Sequence, residues 1–288
     1  MLNKKQIDNL RSQMDNIKLL VQTYEEVAGI HMRKIRTNVL TNRTFIAELE
    51  EIYQQLKTSY SDQVIKILAK KKNNSTILSQ KNGKAVTVLL SANTKLYGDI
   101  VQQTFDLFID FVRKNETDIV IVGKLGQSLM DDSGVEKPYT YQELPDTDID
   151  YKSLIDILPL LLAYEKIYLF YGKFQTIASQ KPFMLDVYGQ QEDIEKKNIA
   201  HMHYLFEPSL EKILQFFEQQ IFATIIEQTF KESELAKFAA RMVALDKATD
   251  NINSQMKKVN LQRRIVMHHL QNQKQQQALS GRKLWRLR

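Results

Sequence analysis

Residues 235–259, LAKFAARMVALDKATDNINSQMKKV, decide how this chain folds. Leu235, Phe238, Met242, Leu245, Thr249, Ile252, Met256 and Val259 step by alternating threes and fours, the heptad seam of a coiled coil. Val266 and Leu270 extend the seam past Arg263. Pro208 and Ser209 open the region, and no proline or glycine follows until Gly281. The stretch therefore predicts a helix of roughly 70 residues, on the order of 100 Å long.

The opening of the chain has the same texture. Ile7, Leu10, Met14, Ile17, Val21, Tyr24, Ala28 and Ile35 follow the same spacing, with His31 at the one seam position that lacks an apolar residue. Ile46, Leu49, Ile52, Tyr53 and Leu56 continue it less regularly, and no proline occurs before Pro138. A helix over residues 3–58 would be about 80 Å long. Neither helix can bury its stripe alone. The two are expected to wrap around each other, antiparallel if the chain leaves one rod, builds a domain and returns.

The middle is different. Residues 85–90 (AVTVLL), 118–122 (DIVIV) and 166–171 (KIYLFY) are short β-branched and aromatic runs. Amphipathic helices are expected between them, over about residues 98–114 and 151–164. Strand–helix–strand order implies right-handed crossovers and a parallel sheet. The expected fold is thus α plus α/β: a long antiparallel coiled coil of N- and C-terminal helices with an inserted small Rossmann-like domain. The expected divisions are an N-terminal helix over 1–60, the α/β domain over 80–200 and a C-terminal helix over 208–288. Residues 70–84, KKKNNSTILSQKNGK, read as a polar connector.

Bulk composition limits the function classes. The chain has 288 residues with 9 Gly and 5 Pro, few turn formers for its length. It has no cysteine, which removes disulfides and thiol chemistry. No apolar run is long enough to span a bilayer, and the N-terminus, MLNKKQIDNLRSQMDN, has the character of neither a secretory signal nor a transit peptide. The net charge is +6. Basic residues alternate with acids along both rods, so a nucleic-acid platform is not expected. Only the tail, with Arg282, Lys283, Arg286 and Arg288 around Trp285, is strongly basic.

No stretch reads as a catalytic centre, a metal site or a cofactor site. Gly123-Lys124-Leu125-Gly126 follows a strand but lacks the spacing of a phosphate loop, and a strand-end turn is the default. Asp146, Asp148 and Asp150 alternate as in hard-cation loops, without the glycine such loops need. His201 and His203 have no third ligand nearby, and His268 and His269 point apart on a helix.

Residues 232–251, ESELAKFAARMVALDKATDN, resemble a signature of the gamma subunit of F-type rotary ATPases, close to ES-x-x-x-E-x-AARM-x-AM-x-x-AT-x-N. Residues 204–209 (YLFEPS), 90–98 (LSANTKLYG) and 122–126 (VGKLG) resemble that family's helix entry and its two strand-end turns, in the same order. In the first of these turns Lys95 stands where the family has glycine and Tyr97 where it has a small residue. The first helix and the Gln-rich end, residues 270–281, also depart from the family's patterns.

The resemblance implies a central-stalk rotor subunit with no active site of its own. Its partners would be the alpha and beta subunits of a catalytic ring, an epsilon-type subunit and a membrane rotor ring. That makes it a hetero-oligomer, peripheral on the cytoplasmic side of a bacterial plasma membrane. The implied ring contacts are Arg33, Lys34 and Arg36 on the first rod, facing acidic partner loops, and Arg241, Met242, Asp246, Lys247 and Thr249 on the last. The alternatives are the shaft of a specialised rotary ATPase that is not a synthase, an unrelated coiled-coil scaffold, and a phosphate-binding enzyme.

Overall fold

The computed structural model describes residues 3–60, 82–147, 154, 157–187 and 209–285. The described elements are α1 (Lys4–Ser59), β1 (Ala85–Leu90), α2 (Ile100–Lys114), β2 (Asp118–Val122), α3 (Lys124–Asp132), β3 (Tyr139–Gln142), α4 (Ile157–Leu162), β4 (Lys166–Thr176), β5 (Ser179–Asp186) and α5 (Leu210–Trp285). The terminal helices have 56 and 76 residues. Most of the expected connector, Asp148, Asp150, His201, His203 and the YLFEPS entry through Pro208 lie outside the described residues. Contacts divide the chain into two compact units, Met1–Ala28 with Met242–Arg288, and Gly29–Arg241.

In the first unit α1 and α5 pack side by side. Ile7, Ala28, Leu245 and Val259 are buried, and Arg263 donates from Nε to Asp8 Oδ1 at 2.7 Å. The heptad reading holds for only one lane of α1. Ile7, Met14, Val21 and Ala28 are covered fully or in part, but Ile17 and Tyr24 are 53% and 48% exposed. A single facing helix covers one lane centrally and leaves the flanking lane at its margin.

In the second unit the same two helices run antiparallel. The His31 ring stacks on Phe238 with centroids 5.1 Å apart. Gln228 Nε2 donates to Val39 O at 3.1 Å, and Tyr53 meets Phe217 at 6.3 Å. Each advance along α1 is a retreat along α5. The histidine that interrupts the apolar seam thus occupies it as a flat ring against another ring.

The sheet of this unit has the order β3-β2-β1-β4-β5. β1 pairs in parallel with β2 and β4, β2 pairs in parallel with β3, and β5 is antiparallel to β4. The sheet is therefore mixed, where a purely parallel one was expected. Three strands were expected and five are present among the described residues, because β3 and β5 are edge strands without β-branched runs. β5 carries Pro182, which an edge tolerates and a central strand does not.

The chain moves from β1 to β2 to β3 in one direction, and α2 and α3 share one face of the sheet. There Phe105, Phe108, Ile109, Val112 and Met130 bury Leu89, Ile119, Ile121 and Phe170. The return from β3 to β4 reverses direction, so a right-handed crossover puts α4 on the opposite face. That face carries Val86, Val88, Val120, Ile167, Leu169 and Leu185. It packs against Leu154, Ile157, Leu158 and Leu161, and against Ile221, Phe222, Ile226 and Phe230 of α5.

Candidate functional site

The opening of the signature segment, residues 232–240, is buried on every side. From Glu232 to Ala240 each residue of α5 is inaccessible, which a helix with one apolar stripe never shows. Within the second unit it lies between α1 and the carboxyl ends of β1 and β4. The sheet order reverses there, where open α/β sheets hold their ligands. Here α5 fills the crevice. Gly172 of β4 faces this segment, where a Cβ would meet the Ala236 methyl in ordinary contact at 3.5 Å, and it is Ile100 of α2 that requires the glycine, 2.7 Å from that position.

Two cations tie this segment to the loop after β1. Lys237 donates from Nζ to Ser91 O at 2.9 Å, and Arg241 donates from Nη2 to Thr94 Oγ1 at 3.1 Å and to Lys95 O at 2.8 Å. The Arg241 guanidinium lies 3.9 Å from the Tyr97 ring centroid. On its other side the loop is held by Asp146. One oxygen accepts from Asn93 N at 2.8 Å, and the other accepts from Thr94 N at 2.9 Å and Thr94 Oγ1 at 2.8 Å. Asp146 of the alternating acidic run therefore serves as a loop clasp. The quoted family motif has glutamate where this chain has Lys237.

The turn after β2 is closed by the same loop. Lys124 N donates to Asn93 Oδ1 at 3.0 Å and Leu125 N to Ala92 O at 2.8 Å. Lys124 Nζ pairs with Glu143 at 2.8 Å. The amides that would cradle a phosphate are spent on Asn93 and Ala92.

The residues expected at a partner surface fall into two sets. Arg33, Lys34 and Arg36 are exposed within one turn and a half of α1. Asp246 and Lys247 are exposed on α5, Met242 is half-buried, and Thr249 is half-buried with its hydroxyl shielded from solvent. Arg241 is engaged inside the chain, as described. The residues that sequence reasoning missed are Lys237 and Asp146. The signal was available in part, since Lys237 lies next to a seam phenylalanine in the middle of an apolar helix.

Burial pushes the Lys237 ammonium below the usual lysine range. Asp146 and then Glu234 pull it back up, and Arg241 opposes them. Between that depressed value and the ordinary one of 10.5 the unfolded chain binds the extra proton, so stability rises with pH across the window. Lys237→Met removes this slope. The stability of the variant relative to the parent is expected to fall as pH is raised from about 7 to about 10, read by urea unfolding at each pH.

Comparison with known proteins places these features in a family. The family model described as ATP synthase matches residues 3–266. The ATP synthase gamma chain of Ruthia magnifica subsp. Calyptogena magnifica is 22% identical, with 89% of this chain and 90% of that protein covered. The gamma chain of Mesoplasma florum is 25% identical, with 85% and 86% covered. Among solved structures, the Tetrahymena thermophila mitochondrial ATP synthase central stalk and c-ring matches at a TM-score of 0.54 and 14% identity, over 80% of this chain and 99% of that one. A chain of the Euglena gracilis mitochondrial ATP synthase matches at 0.50 and 14%, over 88% and 94%. These two likenesses concern the fold. With its signature segment, its element order and a family model spanning nearly its whole length, this chain belongs to the ATP synthase gamma-chain family.

Proposed function

We propose that this chain is the central-stalk rotor of an F-type ATP synthase complex, carrying torque between an ion-driven membrane ring and a ring of alpha and beta subunits. In this reading ion translocation is coupled to ATP synthesis or hydrolysis through the shaft, and the chemistry belongs to the ring. The paired ends of the chain are the shaft and the α/β body is the foot, beside an epsilon-type subunit.

The observation that carries the reading is an apolar lane left uncovered in the first unit. Ile17, Leu20, Tyr24 and Val27 follow one another at helical spacing on α1 and all are exposed, as are Leu261 and Ile265 on α5. A long helix pair with this much apolar side chain in water needs a surrounding partner. Arg33, Lys34 and Arg36, with Met242, Asp246, Lys247 and Thr249, supply polar contacts to that ring, and Arg241 holds the loop after β1 within its own unit. The crevice filled by α5 and the spent amides of the β2 turn support a non-catalytic subunit. Among the described residues no helix is long and apolar enough to cross a membrane. We place the subunit peripherally, on the cytoplasmic face of a bacterial membrane, through its complex.

The test is purification of the native complex through a tag on this chain. Alpha and beta subunits are expected to co-elute with ATPase activity, and elution of a lone chain overturns the reading. The double charge reversal Arg33→Glu/Arg36→Glu is expected to weaken ATP-driven ion pumping. It should change the stability of the isolated chain by no more than about 0.5 kcal/mol, because both side chains are exposed.

A further inference from the structure

A body can drive a helix only if it does not slip around it, and apolar contacts resist sliding poorly because they have no direction. Where the signature segment crosses the sheet, the surfaces are small and smooth: Ala236, Ala239 and Ala240 on α5, and Gly172 on β4. Phe238 meets the Tyr97 ring edge-on there, centroids 6.1 Å apart, while the alanines beside it offer little grip by shape. The directional contacts at this crossing come from Lys237 to Ser91 O and from Arg241 to Thr94 and Lys95. These end on one loop, residues 91–98, while Arg43 of α1 ties Glu232 to Phe174 O of β4 farther along the crossing.

That loop is held under tension. Leu96 has φ +74°, the left-handed region that a leucine enters only at a cost, and its side chain is 57% exposed, so packing does not hold it there. The loop is fixed by Asp146 on one side and by the two cations on the other. Lys237 is buried, so its bond to Ser91 O is not exchanged for water. An arginine alone at the exposed rim would exchange with solvent.

We infer that Lys237 and Asp146 are positioning residues of a torque latch, clamping loop 91–98 between them so that the α/β body turns with α5 and does not slide on it. The inference rests on the rotor reading and adds to it the place where the load crosses from sheet to helix. Arg241 completes the latch on the solvent side. The latch depends on a buried donor at position 237.

The test compares complexes that carry the parent chain, Lys237→Met, Lys237→Arg or Asp146→Asn, each reconstituted in sealed vesicles. The readout is ions pumped per ATP hydrolysed. Lost assembly lowers pumping and hydrolysis together and leaves this ratio unchanged, whereas slip lowers the ratio. Loss of one charged hydrogen bond is expected to lower the ratio about tenfold in Lys237→Met, with Lys237→Arg within about twofold of the parent. In the isolated full chain, amide exchange at Asn93 and Thr94 is expected to quicken about tenfold in Lys237→Met and in Asp146→Asn. If Lys237→Met does not assemble, Asp146→Asn decides, since its side chain lies at the partly exposed edge of the loop. An unchanged ratio and unchanged exchange in the assembled variants overturn the latch. Failure of the parent chain to bring down alpha and beta subunits overturns the rotor reading instead, so the two failures are distinct.

Discussion

Replacing Gly123 by alanine is expected to destabilise the chain by about 3–5 kcal/mol, read by urea unfolding of the isolated protein. Two effects add. The residue sits at φ +97° and ψ 143°, in a region that side chains scarcely enter. A Cβ there would also stand 2.8 Å from Ala92 N and 2.9 Å from Ala92 C and O. Those are backbone atoms, and they cannot turn aside as the end of a flexible side chain does. Nor can Ala92 retreat, because its carbonyl accepts from Leu125 N and its neighbours are clasped by Asp146 and Lys237. Gly134 separates the two effects. It lies at φ +67° with nothing within 4 Å of its Cβ position, so Gly134→Ala is expected to cost only about 1 kcal/mol. A cost at Gly123 no larger than that at Gly134 would mean that the β2 turn is not closed on the loop as described.

The strands with apolar, β-branched runs were legible because burial on both faces demands such residues at every position. β1 and β2 read as strands for this reason, and β4 read correctly to Tyr171 before running on to Thr176. The edges were illegible for the opposite reason. YTYQ and SQKPFMLD are paired on one side only, so their sequences answer to solvent as much as to the sheet. α3 was missed because Gly126 looks like a breaker. A Cβ at Gly126 would stand 2.8 Å from the Ser91 Cβ and 2.9 Å from Ile121 Cγ2, so the glycine marks close packing of a helix and not its end. The seam of α5 was legible as far as Val266, with Leu270 exposed, but that of α1 only in one lane, because periodicity reports which face is apolar and not whether a neighbour within the chain covers it. The signature segment was legible as a resemblance. What it does, filling its own sheet's crevice with Lys237 and Arg241, depends on loop contacts more than 140 residues distant in sequence and on no local pattern.

The pair Arg43–Glu232 sets the second large expectation. Glu232, the first residue of the signature, is held by Arg43 Nη2, which also donates to Phe174 O at 3.2 Å. The two side chains are unequally exposed, 37% for Arg43 and 7% for Glu232. Removing either partner therefore has different consequences. Arg43→Met strands a carboxylate among α1, β4 and α5, and is expected to cost about 3–5 kcal/mol. Glu232→Gln leaves a guanidinium that still reaches water and the Phe174 carbonyl, and is expected to cost about 1–2 kcal/mol. The double variant Arg43→Met/Glu232→Met should recover most of the loss, since neither charge is then buried unpaired. Tyr171 reports on the same spot. Its phenol is pushed above the ordinary range by burial first and by the Glu232 carboxylate second, with Arg43 acting against both. If the four unfolding free energies of this cycle proved additive, Arg43 and Glu232 would not be coupled. The signature would then owe its leading glutamate to something other than the first helix of the shaft.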